Sequence, residues 1–353
     1  MQLDAFRTLG RSGLRVSPLT LGAMTFGNPA WGTDDTESFA IIDRYLAAGG
    51  NVIDTANLYT SGRSETVLGT YFARHPGLRD RVVVSTKFGG NLVPDDPNAG
   101  GNGRKGIMQA LEGSLRRLGT DYVDLYWLHN WDPHTPMDET MATLDDLVRA
   151  GKVRYVGISN VPSWAVARAC TMAELRGTAA PIALQAEYSL LARSIEGGTL
   201  GVAKAFGLGV TPWSPLANGV LSGKYSRARP SAEGSGRASV TDAHMTEATF
   251  ALLDVLERIA GETGSSVAAV ALAWVRQQPL VTTTLVGART IGQLEANLAS
   301  LNVELDGEQL AELDGLTTPT LEYPLTPLLL ATGPGVIQGD TTVNGVTASA
   351  IRL

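Results

Sequence analysis

The chain has 353 residues, 44 % hydrophobic and 18 % charged, with a formal net charge of −7 and a pI near 5.2. That composition belongs to ordinary globular proteins, and its acidity argues against a surface built for the nucleic-acid backbone. A single cysteine, Cys170, excludes an internal disulfide and any multi-cysteine metal site. The opening residues carry no long apolar run behind a basic stretch, and nothing approaches the roughly 18–20 apolar residues of a membrane span. A soluble cytoplasmic protein with no membrane contact is expected.

The elements follow in a regular rhythm. FRTLGRSGLRVSPL reads as a short β-hairpin around Gly10, Arg11, Ser12 and Gly13. Eight strands are then expected: SPLTLGA, NVIDTA, VVVSTK, VDLYWLH, VRYVGISN, IALQAEYS, GVTPWSP and TTTLVGA. Most are continuous β-branched or apolar runs, the pattern of parallel strands buried on both faces. Amphipathic helices lie between them. Before VDLYWLH, Ile107, Leu111, Leu115 and Leu118 recur at helical spacing and Gly119 supplies the stop. The next helix opens at Thr135-Pro136-Met137-Asp138, with proline expected at the first helical position, and Gly151 closes it. A late helix runs from Ser266 to Pro279, with Val267, Val270, Ala271, Trp274 and Val275 on one face. One strand and one helix every thirty to forty residues predict a (β/α)8 TIM barrel, read as one domain over residues 1–316. Two Gly/Pro-rich loops, 89–106 after the third strand and 222–240 after the seventh, should overhang the active rim as lids or disordered segments. Residues 317–353, apolar and punctuated by proline and glycine, have no place in the barrel count. They are expected to pack on its outside or on a partner subunit.

Asp54, Tyr59, Lys87 and His129 fall at or near the ends of successive strands, so the topology carries them to one rim. Singly each has an ordinary structural role: a cap, a packed ring, a surface cation, a satisfied core histidine. Together they form proton-transfer equipment. A phenol of pKa about 10 is a poor acid at neutral pH. An adjacent ammonium stabilises the phenolate, a carboxylate holds the ammonium in place, and an imidazole orients a carbonyl oxygen.

NVIDTANLYTSGRSETVLG, VVVSTKFG, the long run from LRRLGTDYVDLYWLH to VRYVGISN, and GARTIGQLEANL resemble the aldo-keto reductase superfamily over residues 6 to about 316. The resemblance implies hydride transfer between NADP(H) and a carbonyl or alcohol without a metal. Tyr59 becomes the general acid/base, Lys87 and Asp54 its tuning partners, and His129 the group that positions substrate. Ser159, Asn160 and Gln185 are implied at the nicotinamide carboxamide, and Trp213 is implied to stack on the ring. Ser214, Leu216, Gly219 and Lys224 fall in the loop crossing the pyrophosphate, and Met24 and Gly287 also join the cofactor set. Thr290 with Gln293 forms a capping-box pattern, and a helix N-terminus preceded by glycine and arginine is a phosphate site. Arg289 therefore favours the 2′-phosphate of NADP(H). Gln293 and Asn297 fit the adenosine end, but Ala296 replaces the glutamate common in the family, which implies one lost adenosine contact.

Trp31, Trp131 and the 89–106 loop are expected to wall the pocket for a small-molecule carbonyl substrate. MTFG and GRSE are similar to the bacterial branch holding sugar-ketone and aldehyde reductases, which leaves an NDP-sugar keto-reductase open. A non-catalytic, NADPH-binding regulatory subunit like the potassium-channel β-subunits is a second reading. A Schiff-base aldolase using Lys87 is a third. Either a monomer or a homo-oligomer is compatible with the sequence.

Overall fold

The β-branched runs all enter strands. A hairpin of β1 (Arg7–Thr8) and β2 (Arg15–Val16) precedes β3 (Leu19–Gly22), β4 (Val52–Asp54), β5 (Val83–Phe88), β6 (Val123–Leu128), β7 (Val153–Ser159), β8 (Pro181–Glu187), β9 (Gly209–Trp213) and β10 (Thr284–Gly287). In this computed structural model, which describes residues 1–230, 241, 244–325, 339, 341–343 and 346–347, β3 to β9 pair in parallel succession and β10 lies beside β3. A parallel bridge between Val210 and Val281 joins the last edge, where the Thr282 N–H donates to the Val210 carbonyl at 2.8 Å. With helices between the strands, this is the expected (β/α)8 barrel.

The helices are α1 (Asp35–Ala47), α2 (Arg63–Arg74), α3 (Arg104–Leu118), α4 (Met137–Arg149), α5 (Ser163–Arg176), α6 (Thr199–Phe206), α7 (Glu247–Glu262), α8 (Val267–Gln277), α9 (Ile291–Ala299) and α10 (Gly307–Thr317). Helix α3 buries Ile107, Leu111, Leu115 and Leu118 and stops at Gly119, whose φ of 63° lies in the left-handed region. Two details differ from expectation. Helix α4 begins at Met137, with Pro136 at the N-cap and no side-chain capping bond, while the Thr135 hydroxyl donates to Asp132. Helix α8 is buried all round from Ala268 to Arg276, since it packs against α7, α9 and the barrel.

Period-two alternation sorts the strand side chains. Ile53, Val84, Tyr126, Leu128, Val156 and Ile158 face the helices in the main core. Val52, Val83, Leu125 and Trp127 point inward and meet Leu9 and Val16 of the hairpin, which seals the floor. A side chain at Gly10 would lie 2.1 Å from the Ile182 carbonyl oxygen, so only glycine lets the hairpin sit this close. The same alternation turns Asp54, Ser85, Gln185 and Thr211 inward around a cavity of about 10 Å³, room for one water.

Loop 89–106 is pinned at its end, and its last three residues already belong to α3. The Asp132 carboxylate accepts the Asn102 N–H at 3.0 Å, Asn102 Nδ2 donates to the Asn130 carbonyl at 2.9 Å, and the Gly101 N–H donates to the Gly89 carbonyl at 3.0 Å. Of loop 222–240, residues 231–240 lie outside the described residues, and so does most of the 317–353 tail. Among the described residues no helix is long and apolar enough to cross a membrane.

Candidate active site

Asp54 ends β4, Lys87 is the inward residue before the end of β5, and His129 follows β6, two residues after inward-facing Trp127. Tyr59 sits off the strands, at the start of a 3-10 turn (Tyr59–Gly62) where Thr60 (φ 49°), Ser61 (φ 54°) and Gly62 (φ 88°) are all left-handed. Left-handed non-glycine residues cost roughly 1–2 kcal/mol each and concentrate at functional sites. Arg117 packs on Gly62 and pairs with buried Glu65 at 2.7 Å, and Glu65 also accepts the Thr86 hydroxyl at 2.5 Å. This clamp ties the turn to β5 beside Lys87.

The four side chains converge. The fully buried Lys87 ammonium donates to Asp54, to the Thr55 carbonyl at 2.8 Å and to the Tyr59 hydroxyl at 3.1 Å. Asp54 also accepts the Ser85 hydroxyl at 2.6 Å and Gln185 Nε2 at 3.4 Å. The Tyr59 and His129 rings meet edge to face at 5.8 Å. Burial pulls the Lys87 pKa down, but Asp54 and Tyr59 outweigh it and the net shift is upward. Burial raises the Tyr59 phenol above its ordinary value; Lys87 opposes this and Asp54 adds to it. The lysine acts in the expected direction without winning, so in the free protein the phenol is held as a proton donor. Burial, then the Lys87 charge, pushes His129 down to about 3, leaving the imidazole neutral. Its Nδ1 is buried with no partner among the described residues, so Nε2 is the nitrogen left to meet a substrate.

Around this quartet the polar rim is continuous. Asn160 (φ 51°) donates to the His129 carbonyl at 2.9 Å and accepts the Trp213 indole N–H at 3.1 Å. Among the described residues the buried Ser159 hydroxyl has no hydrogen-bond partner. Ser159 pairs in register with Gln185. Ser214, Ala217 and Asn218 have positive φ, and a side chain at Gly219 would lie 3.2 Å from the Lys224 ammonium. Leu216 packs against the core, and Met24, 38 % exposed, lies in the loop after β3.

At the far side Gly287 ends β10 and the Thr290 hydroxyl caps α9 by accepting the Gln293 N–H at 3.2 Å. The expected box is displaced by one residue, since Gln293 Oε1 accepts from the Arg289 N–H (2.8 Å) rather than from Thr290. Arg289 Nη1 reaches the Trp31 carbonyl at 3.4 Å. Asn297 is buried and its Nδ2 donates to the Gly287 carbonyl at 3.0 Å, so this amide braces the strand end. Glu37 of α1, not anticipated from the sequence, accepts the Ile291 N–H at 3.1 Å, the first amide of α9. No local pattern marks a residue 254 positions away. Trp31 is 39 % exposed at the rim, while Trp131 is half-buried and meets Trp164 edge to face at 5.5 Å. Among the described residues no cluster of His, Cys, Asp and Glu is arranged to hold a metal.

Residues 18–318 match the model of the aldo/keto reductase family. An uncharacterized oxidoreductase, YrpG, of Bacillus subtilis is 38 % identical over 317 residues, covering 87 % of this chain and 94 % of its own. A putative aryl-alcohol dehydrogenase of Saccharomyces cerevisiae is 31 % identical, covering 98 % and 95 %. A probable voltage-gated potassium channel subunit beta of rice is 36 % identical, covering 84 % and 91 %. On barrel, site and sequence together, the chain belongs to the aldo/keto reductase family.

Proposed function

We propose that the protein is an NADP(H)-dependent carbonyl reductase, interconverting an aldehyde or ketone and its alcohol, with Tyr59 as the general acid. The observation that carries this reading is the buried relay in which an ammonium, fixed by Asp54, stands 3.1 Å from the Tyr59 hydroxyl. When bound, the nicotinamide supplies the hydride. The protein's own residues do the rest. His129, neutral at working pH, donates a hydrogen bond that holds the carbonyl oxygen against the phenol. Tyr59 gives its proton to that oxygen, and Lys87 stabilises the phenolate left behind. In the oxidation direction the phenolate takes the proton back.

Ser159, Asn160 and Gln185 would hold the carboxamide, and Trp213 would flank the ring. The unpartnered Ser159 hydroxyl supports this fit. Arg289, exposed beside the first turn of α9, would take the 2′-phosphate. Glu37 places a carboxylate on the same turn, which opposes that preference. Exposed Trp31, Met24 and Leu58 at the rim favour an apolar carbonyl compound, and the aryl-alcohol name of the yeast relative points the same way. Residues 1–316 would be the catalytic unit and 317–353 an appendage on it. The buried thiol of Cys170 fits a reducing cytoplasm.

Steady-state oxidation of NADPH with 4-nitrobenzaldehyde tests the assignment. Tyr59→Phe is expected to abolish turnover while NADPH binding, followed by fluorescence quenching, stays nearly intact. Retained turnover would remove Tyr59 as the acid. A wild-type chain that binds NADPH and reduces no carbonyl in a panel of aldehydes and ketones would favour the regulatory-subunit reading.

A further inference from the structure

Outward of His129, between the loop after β6 and the first turn of α5, lies a cavity of about 240 Å³. Trp131, Pro133, His134, Pro136, Trp164 and Arg168 line it. Its two indoles stand at 78° to each other, forming an apolar corner with one side open. Trp164, the second residue of α5, is 61 % exposed, a large ring that no described residue covers.

The corner is built rather than incidental. Asp132 accepts the His134 N–H at 2.9 Å and the Thr135 hydroxyl at 2.6 Å, fixing the loop from beneath. The Trp131 N–H donates to the Asn160 carbonyl at 3.1 Å, so the wall is tied to the residue that also holds Trp213. Arg168 is paired with Asp138 at 3.2 Å, which offsets its charge at the edge of the corner. Indoles meeting at an angle suit a third aromatic ring, placed edge-on to one and face-on to the other. The volume falls below that of a self-standing ligand site, which fits one ring of a longer molecule. Trp131 stands two residues from His129, and both are bonded to Asn160, so the corner adjoins the loop that carries the quartet's histidine.

We propose that this corner is a second subsite for the distal ring of a two-ring aryl carbonyl, making Trp164 a specificity-determining residue. The proposal rests on the carbonyl-reductase reading for its chemistry, not for its binding.

Kinetics with biphenyl-4-carbaldehyde and benzaldehyde, on wild type, Trp164→Ala and Trp164→Phe, test it. Trp164→Ala is expected to raise KM for the two-ring aldehyde about tenfold, the effect of losing one aromatic contact. kcat should be little changed, benzaldehyde unaffected, and Trp164→Phe close to wild type. An equal change for both aldehydes, or none for either, overturns the subsite. Calorimetric titration of biphenyl-4-methanol provides a readout independent of turnover. Binding by wild type that Trp164→Ala weakens supports the proposal even if neither aldehyde is reduced, a result that would sink only the carbonyl-reductase reading. Undetectable binding by wild type, or equal binding by both proteins, sinks the subsite.

Discussion

Asp54→Asn isolates the physics of the buried pair. Lys87 is fully buried, and its charge persists because Asp54 and the phenol outweigh desolvation. The amide keeps the shape of the carboxylate and removes the charge. Desolvation then dominates, so the Lys87 pKa falls below the ordinary lysine value instead of rising above it. Breaking a buried pair costs about 3–5 kcal/mol, less whatever Lys87 recovers by giving up its proton. The sign of the pH dependence is the sharper test. In wild type the folded chain holds the Lys87 proton more tightly than the unfolded chain does. That stability is complete below the unfolded value near 10.4 and is lost only as pH rises through the higher folded value. In the variant the unfolded chain binds the extra proton, so folding stability rises with pH between the lowered folded value and about 10.4, by up to about 1.4 kcal/mol per pH unit. Urea unfolding of both proteins at pH 6, 7, 8 and 9 reads the two slopes. Parallel slopes would mean that Asp54 does not hold the lysine charged, and the relay would lose its foundation. Turnover should fall with the charge, as the phenolate loses its stabilising cation.

Arg289→Ala should raise the Kd for NADPH about tenfold or more, the worth of a charge-assisted bond, and leave NADH within about twofold; equal losses in fluorescence titrations would remove the 2′-phosphate role. Because His129 is held neutral down to about 3, the pH profile of kcat/KM from 5 to 9 should show no limb near 6.5 that disappears in His129→Gln. The same depressed value means the unfolded chain takes up a proton that the folded chain refuses between about 6.5 and 3. Acid unfolding of His129→Gln should therefore begin at lower pH than that of wild type. Ser61→Gly, at an exposed residue with φ 54°, relieves left-handed strain at the expense of chain entropy, and should change unfolding stability by between zero and about +1 kcal/mol; a clear loss in urea unfolding would contradict that backbone conformation.

The barrel was legible because parallel strands buried on both faces leave unbroken β-branched runs, and the two-residue alternation then dictates which positions point inward. Asp54, Lys87 and Ser159 follow from that rule, and His129 continues it one residue past its strand. Tyr59 does not, because its placement depends on three left-handed residues that no periodicity reveals. Long-range partners were equally hidden. Glu37 reaches Ile291 and Arg117 reaches Glu65 across elements whose packing no local pattern encodes. The Gly/Pro-rich composition of residues 89–106 suggested a lid, whereas one carboxylate, Asp132, organises its end. The net direction of the Tyr59 shift also escaped, since burial is a property of the fold rather than of neighbours in sequence. No local pattern sets Trp164 apart from an ordinary apolar residue at a helix start.

The hairpin that seals the barrel floor also sets the order in which the chain can finish folding. Arg7 donates to the carbonyls of Val281 and Thr282, 274 and 275 positions away, and the Met1 amine donates to the Leu301 carbonyl. On a ribosome the Arg7 guanidinium can meet its two carbonyls only after almost the whole barrel has emerged, although β1 and β2 can pair at once. Contacts of such separation form late and slowly. A product cut short before Val281 would keep Leu9 and Val16 on the inward side chains of β4, β5, β6 and β8 but leave the Arg7 guanidinium without its Val281 and Thr282 acceptors.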